Sequence, residues 1–402
     1  MYMLIRIAGA LVAMLCGYAG YWSARWALAD WTMRSSVEHA LRLAPGNPDY
    51  YVQLAQAKPA VALAALERAA ELNPLSSSVW MELAAAAEQQ GDFPKAEHCL
   101  LHAVALDKTF APRWLLAQYY SRRGDQANFW PAVRAALATS YDDITPLFDM
   151  CWALVPDPGI IEERALPERP DVWRQYFDFL LSKDRMDAAE SIAGRIVAQA
   201  TRETVPSLLQ YCDRLLEQNR GPEALETWNS MAARHSLDYP ELVPDRGISL
   251  TNGGFAKEVL SHGFDWRVSQ TEGIFFRQDD SPPGLWFEFS GKQPEQCELL
   301  SQFVPVEPAK PYRLVVKYAT EGLEGDIGID WRVVDQGSKA DLLLGAGHVG
   351  ASEGREKAEP YRFQTPEDAR LVKLVLVYNR ALGTVRIKGS LSLKGVALGF
   401  AP

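Results

Sequence analysis

NPLSSSVWMELAAAAEQQGDFPKAEHCLLHAVALD, residues 73–107, is the stretch that decides the fold. Its apolar residues fall at helical spacing in two runs, Val79 to Ala87 and Ala96 to Ala103, parted by Gly91-Asp92. The first run carries Trp80 and Leu83; the second is built on Ala96 and Ala103 with Leu100 between them. Alanines at a crossing point let two antiparallel helices approach closely, while large residues fill the space one turn away. The arrangement recurs. Trp114 follows Trp80 by 34 residues, and Ala62, Leu66 and Ala69 precede Ala96, Leu100 and Ala103 by the same interval.

Outward from this stretch the pattern continues with drift. Trp114, Gly124-Asp125, Phe129 and Ala136 mark the next unit. Trp173, Ala189, Ala193 and Ile196 mark another, and Leu208, Leu215, Gly221, Ala224, Trp228 and Met231 the last. Residues 47–74 read as a shortened unit with Tyr51, Leu54 and Ala55. Residues 34–45 read as the second helix of a preceding one, and the proline-rich 141–170 as an irregular pair. About six units are expected across residues 30–242. An aromatic and a leucine on the first helix, Gly-Asp at the turn and alanines on the second resemble the tetratricopeptide repeat. One such pair cannot bury its apolar face alone, so neighbours stack into an α-solenoid. The resemblance implies a concave face that holds a protein partner.

Residues 7–22, IAGALVAMLCGYAGYW, form an apolar run behind Arg6, with Tyr18, Tyr21, Trp22 and Trp26 at its far end. Amphipathic aromatics suit a membrane–water boundary. Residues 1–29 are therefore expected to form a transmembrane helix that anchors the chain in an inner membrane, single-pass, with the bulk outside the cytoplasm. The alternative is a signal segment cleaved at Ala27-Leu28-Ala29, leaving a secreted or periplasmic protein.

Beyond Pro240 and Pro244 helical spacing stops. Residues 284–291, 311–320, 326–337, 370–381 and 384–398 are short β-branched or aromatic runs bounded by Gly, Pro or Asp. About eight strands are expected over 246–402, packed as an antiparallel β-sandwich. Asn252-Gly253-Gly254-Phe255, Gly263-Phe264-Asp265-Trp266, the strand at 285–289, Phe303-Val304-Pro305-Val306, Tyr312-Arg313-Leu314 and a closing strand at 391–398 resemble the carbohydrate-binding-module (galactose-binding-like) jelly rolls. The expected fold is thus an α + β multidomain chain: membrane helix, α-solenoid, jelly roll.

Sugars stack their C–H faces on aromatic rings and meet polar side chains with their hydroxyls. In 285–289, Leu285, Phe287 and Phe289 point one way, Trp286 and Glu288 the other. Asp330 and Arg332 lie opposite Trp331, and Asn379 and Arg386 add polar groups. Trp286, Glu288, Asp330, Arg332, Asn379 and Arg386 are the candidate glycan-binding residues. Their ordinary alternative is a solvated strand surface, while Trp266 and Trp331 read as core.

No catalytic, cofactor-binding or metal-binding residue is assigned. His98 and His102 stand at i, i+4, but Cys99 occupies the position where a zincin has glutamate, and no third ligand is apparent. Gly345-Ala346-Gly347 follows no βαβ unit, and no nucleophile elbow occurs. Five cysteines without C-x-x-C read as buried apolar residues, and no compartment follows from them. The net charge is -10, with 22 Lys/Arg against 30 Asp/Glu in residues 1–244. That balance excludes a nucleic-acid footprint, which needs a positive stripe. The expected function is that of a membrane-anchored, non-enzymatic scaffold. The combination of parts looks similar to bacterial proteins associated with exopolysaccharide assembly and export. A lectin-like protein with the repeats as a stalk is the alternative.

Overall fold

The computed structural model describes residues 2–323, 327–380 and 383–401, without the side chains of 2–8 and 10. The chain divides into two compact units, Met1–Tyr176 and Phe177–Pro402.

The first unit is helical: α1 (Tyr2–Met33), α2 (Val37–Leu43), α3 (Pro48–Ala57), α4 (Ala62–Leu72), α5 (Ser77–Gln89), α6 (Phe93–Leu106), α7 (Phe110–Arg123), α8 (Gln126–Thr139), α9 (Thr145–Leu154) and α10 (Pro158–Arg164). The repeated Gly-Asp explains the hairpins. Gly91 (φ 82°) and Gly124 (φ 66°) take the left-handed conformation that ends a helix, which a side chain would strain. The aspartate that follows caps the next helix: Asp92 accepts from the Lys95 N–H at 3.2 Å, and Asp125 from the Asn128 N–H at 3.2 Å. The alanines pack as expected, with Ala69, Ala96, Ala103 and Ala136 fully buried beside Leu66, Leu100 and Val133. The Trp80 indole N–H donates to the carbonyl of Pro74, six residues back, at 2.9 Å, pinning the helix start to the preceding turn. Trp173, on α11 (Pro170–Ser182), repeats this bond to Pro167 at the same distance. The irregular pair expected over 141–170 is α9 and α10, both short.

The membrane-spanning helix expected over 1–29 is not found: among the described residues no helix is long and apolar enough to cross a membrane. The described part of α1 is diluted by Gly17, Gly20 and Ser23, and by Arg25 toward its end. Of the expected segment, the side chains of residues 1–8 and 10 lie outside the described residues.

In the second unit α12 (Met186–Ala198), α13 (Val205–Glu217) and α14 (Gly221–Ala233) precede the sandwich. Here Asp184 (φ 54°) and Asn219 (φ 58°) take the left-handed place that glycine holds in the earlier hairpins. Ala189 and Ala224 are fully buried. The strands are β1 (Arg267–Val268), β2 (Ile274–Asp280), β3 (Pro283–Ser290), β4 (Gln296–Pro305), β5 (Pro311–Glu321), β6 (Ile329–Asp335), β7 (Lys357–Gln364), β8 (Leu371–Asn379) and β9 (Lys388–Phe400). They form two antiparallel sheets, β1-β4-β8-β6 and β2-β3-β9-β5-β7. Alternation fills one core from both: Leu285, Phe287, Phe289, Leu314 and Val316 from the larger sheet, Leu374, Leu376, Trp331 and Val333 from the smaller. Trp266 and Trp331 meet edge to face at 6.2 Å in its middle.

Candidate glycan-binding face

The two sheets have different outer faces. On the four-stranded sheet the outward residues Ser301, Phe303, Val375 and Val377 are buried. Helices α13 and α14 reach this sheet. Asp213 on α13 bonds Arg267 Nη2 at 2.5 Å, the Gly263 N–H at 2.7 Å and His262 Nδ1 at 2.5 Å. Trp228 on α14 meets Phe264 edge to face at 5.9 Å. Close by, Asp265 is fully buried, with Oδ2 accepting from the Leu260 N–H and the Tyr239 hydroxyl. Burial raises its carboxyl above the usual aspartate range, against the pull of those bonds.

On the five-stranded sheet the outward residues Phe275, Arg277, Glu288, Arg313, Lys317, Pro360 and Arg362 are exposed. Trp286 sits among them, half-buried. Its cross-strand neighbours are Arg277 on β2 and Ser392 on β9; those of Glu288 are Phe275 and Ser390. The Arg277 guanidinium lies 4.8 Å from the centre of the indole, and its Nε reaches Asp279 Oδ1 at 2.7 Å. A cation over the indole orients the ring and keeps its own donors at the rim. Phe275 is 63% exposed beside this pair. The serines of β9 leave a low strip between the ridge of Phe275, Arg277, Trp286 and Glu288 and the charged β5. An aromatic plane, a guanidinium steadied by Asp279 through Nε and Nη2, the Glu288 carboxylate and the Ser392 hydroxyl are groups that a sugar face and its hydroxyls can meet.

Of the six residues expected to meet a glycan, Trp286 and Glu288 lie on this face. Asp330 and Arg332 project from β6 on the other sheet, where Asp330 Oδ1 is 3.3 Å from His348 Nδ1. Asn379 ends β8, its N–H donating to Gly328 at 2.7 Å. Arg386 lines a separate groove of about 980 Å3 at one end of the sandwich with Arg380, Lys388 and Glu295. Glu295 Oε1 is 3.1 Å from Arg380 and 3.9 Å from Arg386. Phe275 and Arg277 were not singled out by the sequence. The signal available was the alternation of Ile274, Phe276 and Gln278 with Phe275, Arg277 and Asp279. The Asp279-Asp280 pair, which reads as a charged loop, is instead the end of a strand.

Elsewhere, His98 and His102 stack with ring centres 6.4 Å apart, and His102 meets Trp80 edge-on at 4.4 Å. Among the described residues no group of three His, Cys, Asp or Glu is gathered as a metal site requires.

These observations define a helical-repeat protein that also carries an antiparallel β-sandwich. No protein-family model matches the sequence, and no curated protein does. Solved structures of both kinds are similar to it. A carbohydrate-binding module of family 4 is 12% identical, at a TM-score of 0.30 over 38% of this chain and 100% of its own. A module from Cellvibrio mixtus lichenase 5A, solved with cellotriose, is 10% identical, at 0.22 over 34% of this chain and 92% of its own. The tetratricopeptide protein YrrB, described as having an unusual peptide-binding site, is 12% identical, at 0.26 over 50% of this chain and 92% of its own. The chain joins a series of antiparallel helix pairs to a two-sheet antiparallel sandwich.

Proposed function

We propose that the chain is a non-enzymatic, membrane-tethered adaptor of the bacterial envelope. In this reading the helix pairs hold a protein partner on their concave face, and the sandwich takes a polysaccharide on the outer face of its five-stranded sheet. Exopolysaccharide assembly or export is the process it would serve. The observation that carries the proposal is the Trp286–Arg277 pair on a sheet face whose outward residues are exposed. Buried aromatics fill a core; an indole held at a surface beside a guanidinium, a carboxylate and an exposed phenylalanine suits a ligand with flat apolar faces and many hydroxyls. The tether is supported by α1, where Leu11, Val12, Met14, Leu15 and Tyr18 are each more than half exposed. So continuous an apolar surface is costly in water and favourable in lipid.

The test is an array of envelope polysaccharides probed with the full chain in mild detergent and with Trp286→Ala. Loss of one stacking ring, about 1.4 kcal/mol, should weaken binding about tenfold. The thermal midpoint should hardly move, because the ring is not in the core. An array blank for the unaltered chain, or binding unaffected by the substitution, overturns the proposal.

A further inference from the structure

A cavity of about 640 Å3 lies at the foot of α1, where that helix meets the α2–α3 turn. Its walls are Trp22, Trp26 and Asp30 from α1, and Ala44, Pro45, Gly46, Asn47, Pro48 and Tyr50 from the turn and α3. The three α1 residues stand at i, i+4 and i+8, one stripe of a helix. Trp22 and Trp26 have ring centres 6.1 Å apart and are tilted toward each other by 47°. Trp26 is 55% exposed. Asp30 is also exposed, and its Oδ1 accepts the Tyr50 hydroxyl, so one edge of the carboxylate is fixed and the other is free to meet a ligand. Burial, with the bond to Asp30, pushes the Tyr50 phenol up to about 12, so it remains a donor at every working pH. Arg25 stands on the other flank of Trp22, its guanidinium 4.9 Å from the ring, with Nη2 3.4 Å from the Arg42 carbonyl.

Aromatic faces beside a carboxylate are the groups that recognise an ammonium ion, through the ring quadrupole and through charge. A cation one helical step away suits a phosphate. The exposed apolar residues 11–18 of the same helix continue upward from the cavity, which suits acyl chains. We infer that this cavity seats the zwitterionic headgroup of a phospholipid, with the ammonium between Trp26 and Asp30, the phosphate toward Arg25 and the tails along α1. The inference rests on the proposed membrane tether. It adds headgroup selectivity, which an apolar helix alone does not have.

The experiment is native mass spectrometry of the full chain released from non-ionic detergent, with equal amounts of phosphatidylethanolamine, phosphatidylcholine and phosphatidylglycerol added. Adducts of the two zwitterionic lipids should exceed those of phosphatidylglycerol about tenfold, the yield of one ion pair and one cation–π contact near 1.4 kcal/mol. A lead of phosphatidylethanolamine assigns the larger part to Asp30, and a lead of phosphatidylcholine assigns it to the rings. Asp30→Asn and Trp26→Leu should bring all three lipids to parity, and Trp26→Leu keeps the helix apolar and the fold intact. Equal adducts on the unaltered chain, or an excess of phosphatidylglycerol, overturn the site. Vesicle flotation separates this from failure of the tether: a chain that floats with vesicles of every composition but shows equal adducts keeps the tether and loses the site. A chain that floats with none loses both.

Discussion

At Gly263 a side chain has nowhere to go. Its φ is +57°, and a Cβ would stand 2.6 Å from Cζ3 and 2.8 Å from Cε3 of the buried Trp228. Gly263→Ala must therefore either move the α14 indole or break the bond from the Gly263 N–H to Asp213. Left-handed strain and overpacking together should cost about 3 kcal/mol. The check is chemical denaturation of the full chain, with Gly383→Ala as the comparison; Gly383 also has positive φ but open space around it. Equal losses at the two positions would refute the steric account. This residue was legible only in part. Gly263-Phe264-Asp265-Trp266 stands out in the sequence, yet its neighbours Trp228 and Asp213 lie 35 and 50 residues away, and local pattern carries no such pairing. Trp331 was legible as core because it alternates with Asp330 and Arg332 on a strand, and Trp266 because so large an aromatic is ordinarily buried.

At the scale of elements, the helical hairpins were readable because each depends on residues close in sequence. Gly-Asp both ends one helix and caps the next. Where the pair was absent, at Asp184 and Asn219, the same conformation was reached without the signal. Asp125→Ala removes an acceptor for the first turn of α8 and should cost about 1 kcal/mol, while Asp142→Ala, at an exposed residue between helices, should cost nothing measurable. Thermal midpoints of the two variants decide it; identical midpoints would count against the cap. The strands were harder. β2 hides its alternation behind adjacent phenylalanines, and β7 is an edge strand that opens on polar residues and is interrupted by Pro360, so its start at Lys357 reads as loop. The candidate glycan face suffered accordingly. Trp286 and Glu288 were visible on one strand, but their partners Arg277 and Phe275 depend on the β2–β3 register, while Asp330 and Arg332 alternate correctly on the wrong sheet.

For the whole molecule, burial sorts the five cysteines. Cys99, Cys151 and Cys212 are buried in helical packing, and burial raises all three thiols, that of Cys151 to about 12. Cys16 is exposed. A thiol reagent at neutral pH should label the half-buried Cys297 slowly, and Cys99, Cys151 and Cys212 only when the fold opens. Peptide mapping after timed labelling gives the order. Early reaction at Cys212 would mean that α13 leaves the sheet far more readily than the Asp213 contacts imply.

Those contacts carry an evolutionary corollary. Repeat arrays lengthen and shorten by duplicating or dropping a unit. α13 and α14 are no longer interchangeable members of such an array, because Asp213, Gly221 and Trp228 are fitted to Arg267, Leu371 and Phe264. A unit copied in after α14 would present none of these residues to the sheet. Lineages of this protein should therefore vary in repeat number only ahead of α13, and the final helix pair should be inherited with the sandwich as a single piece.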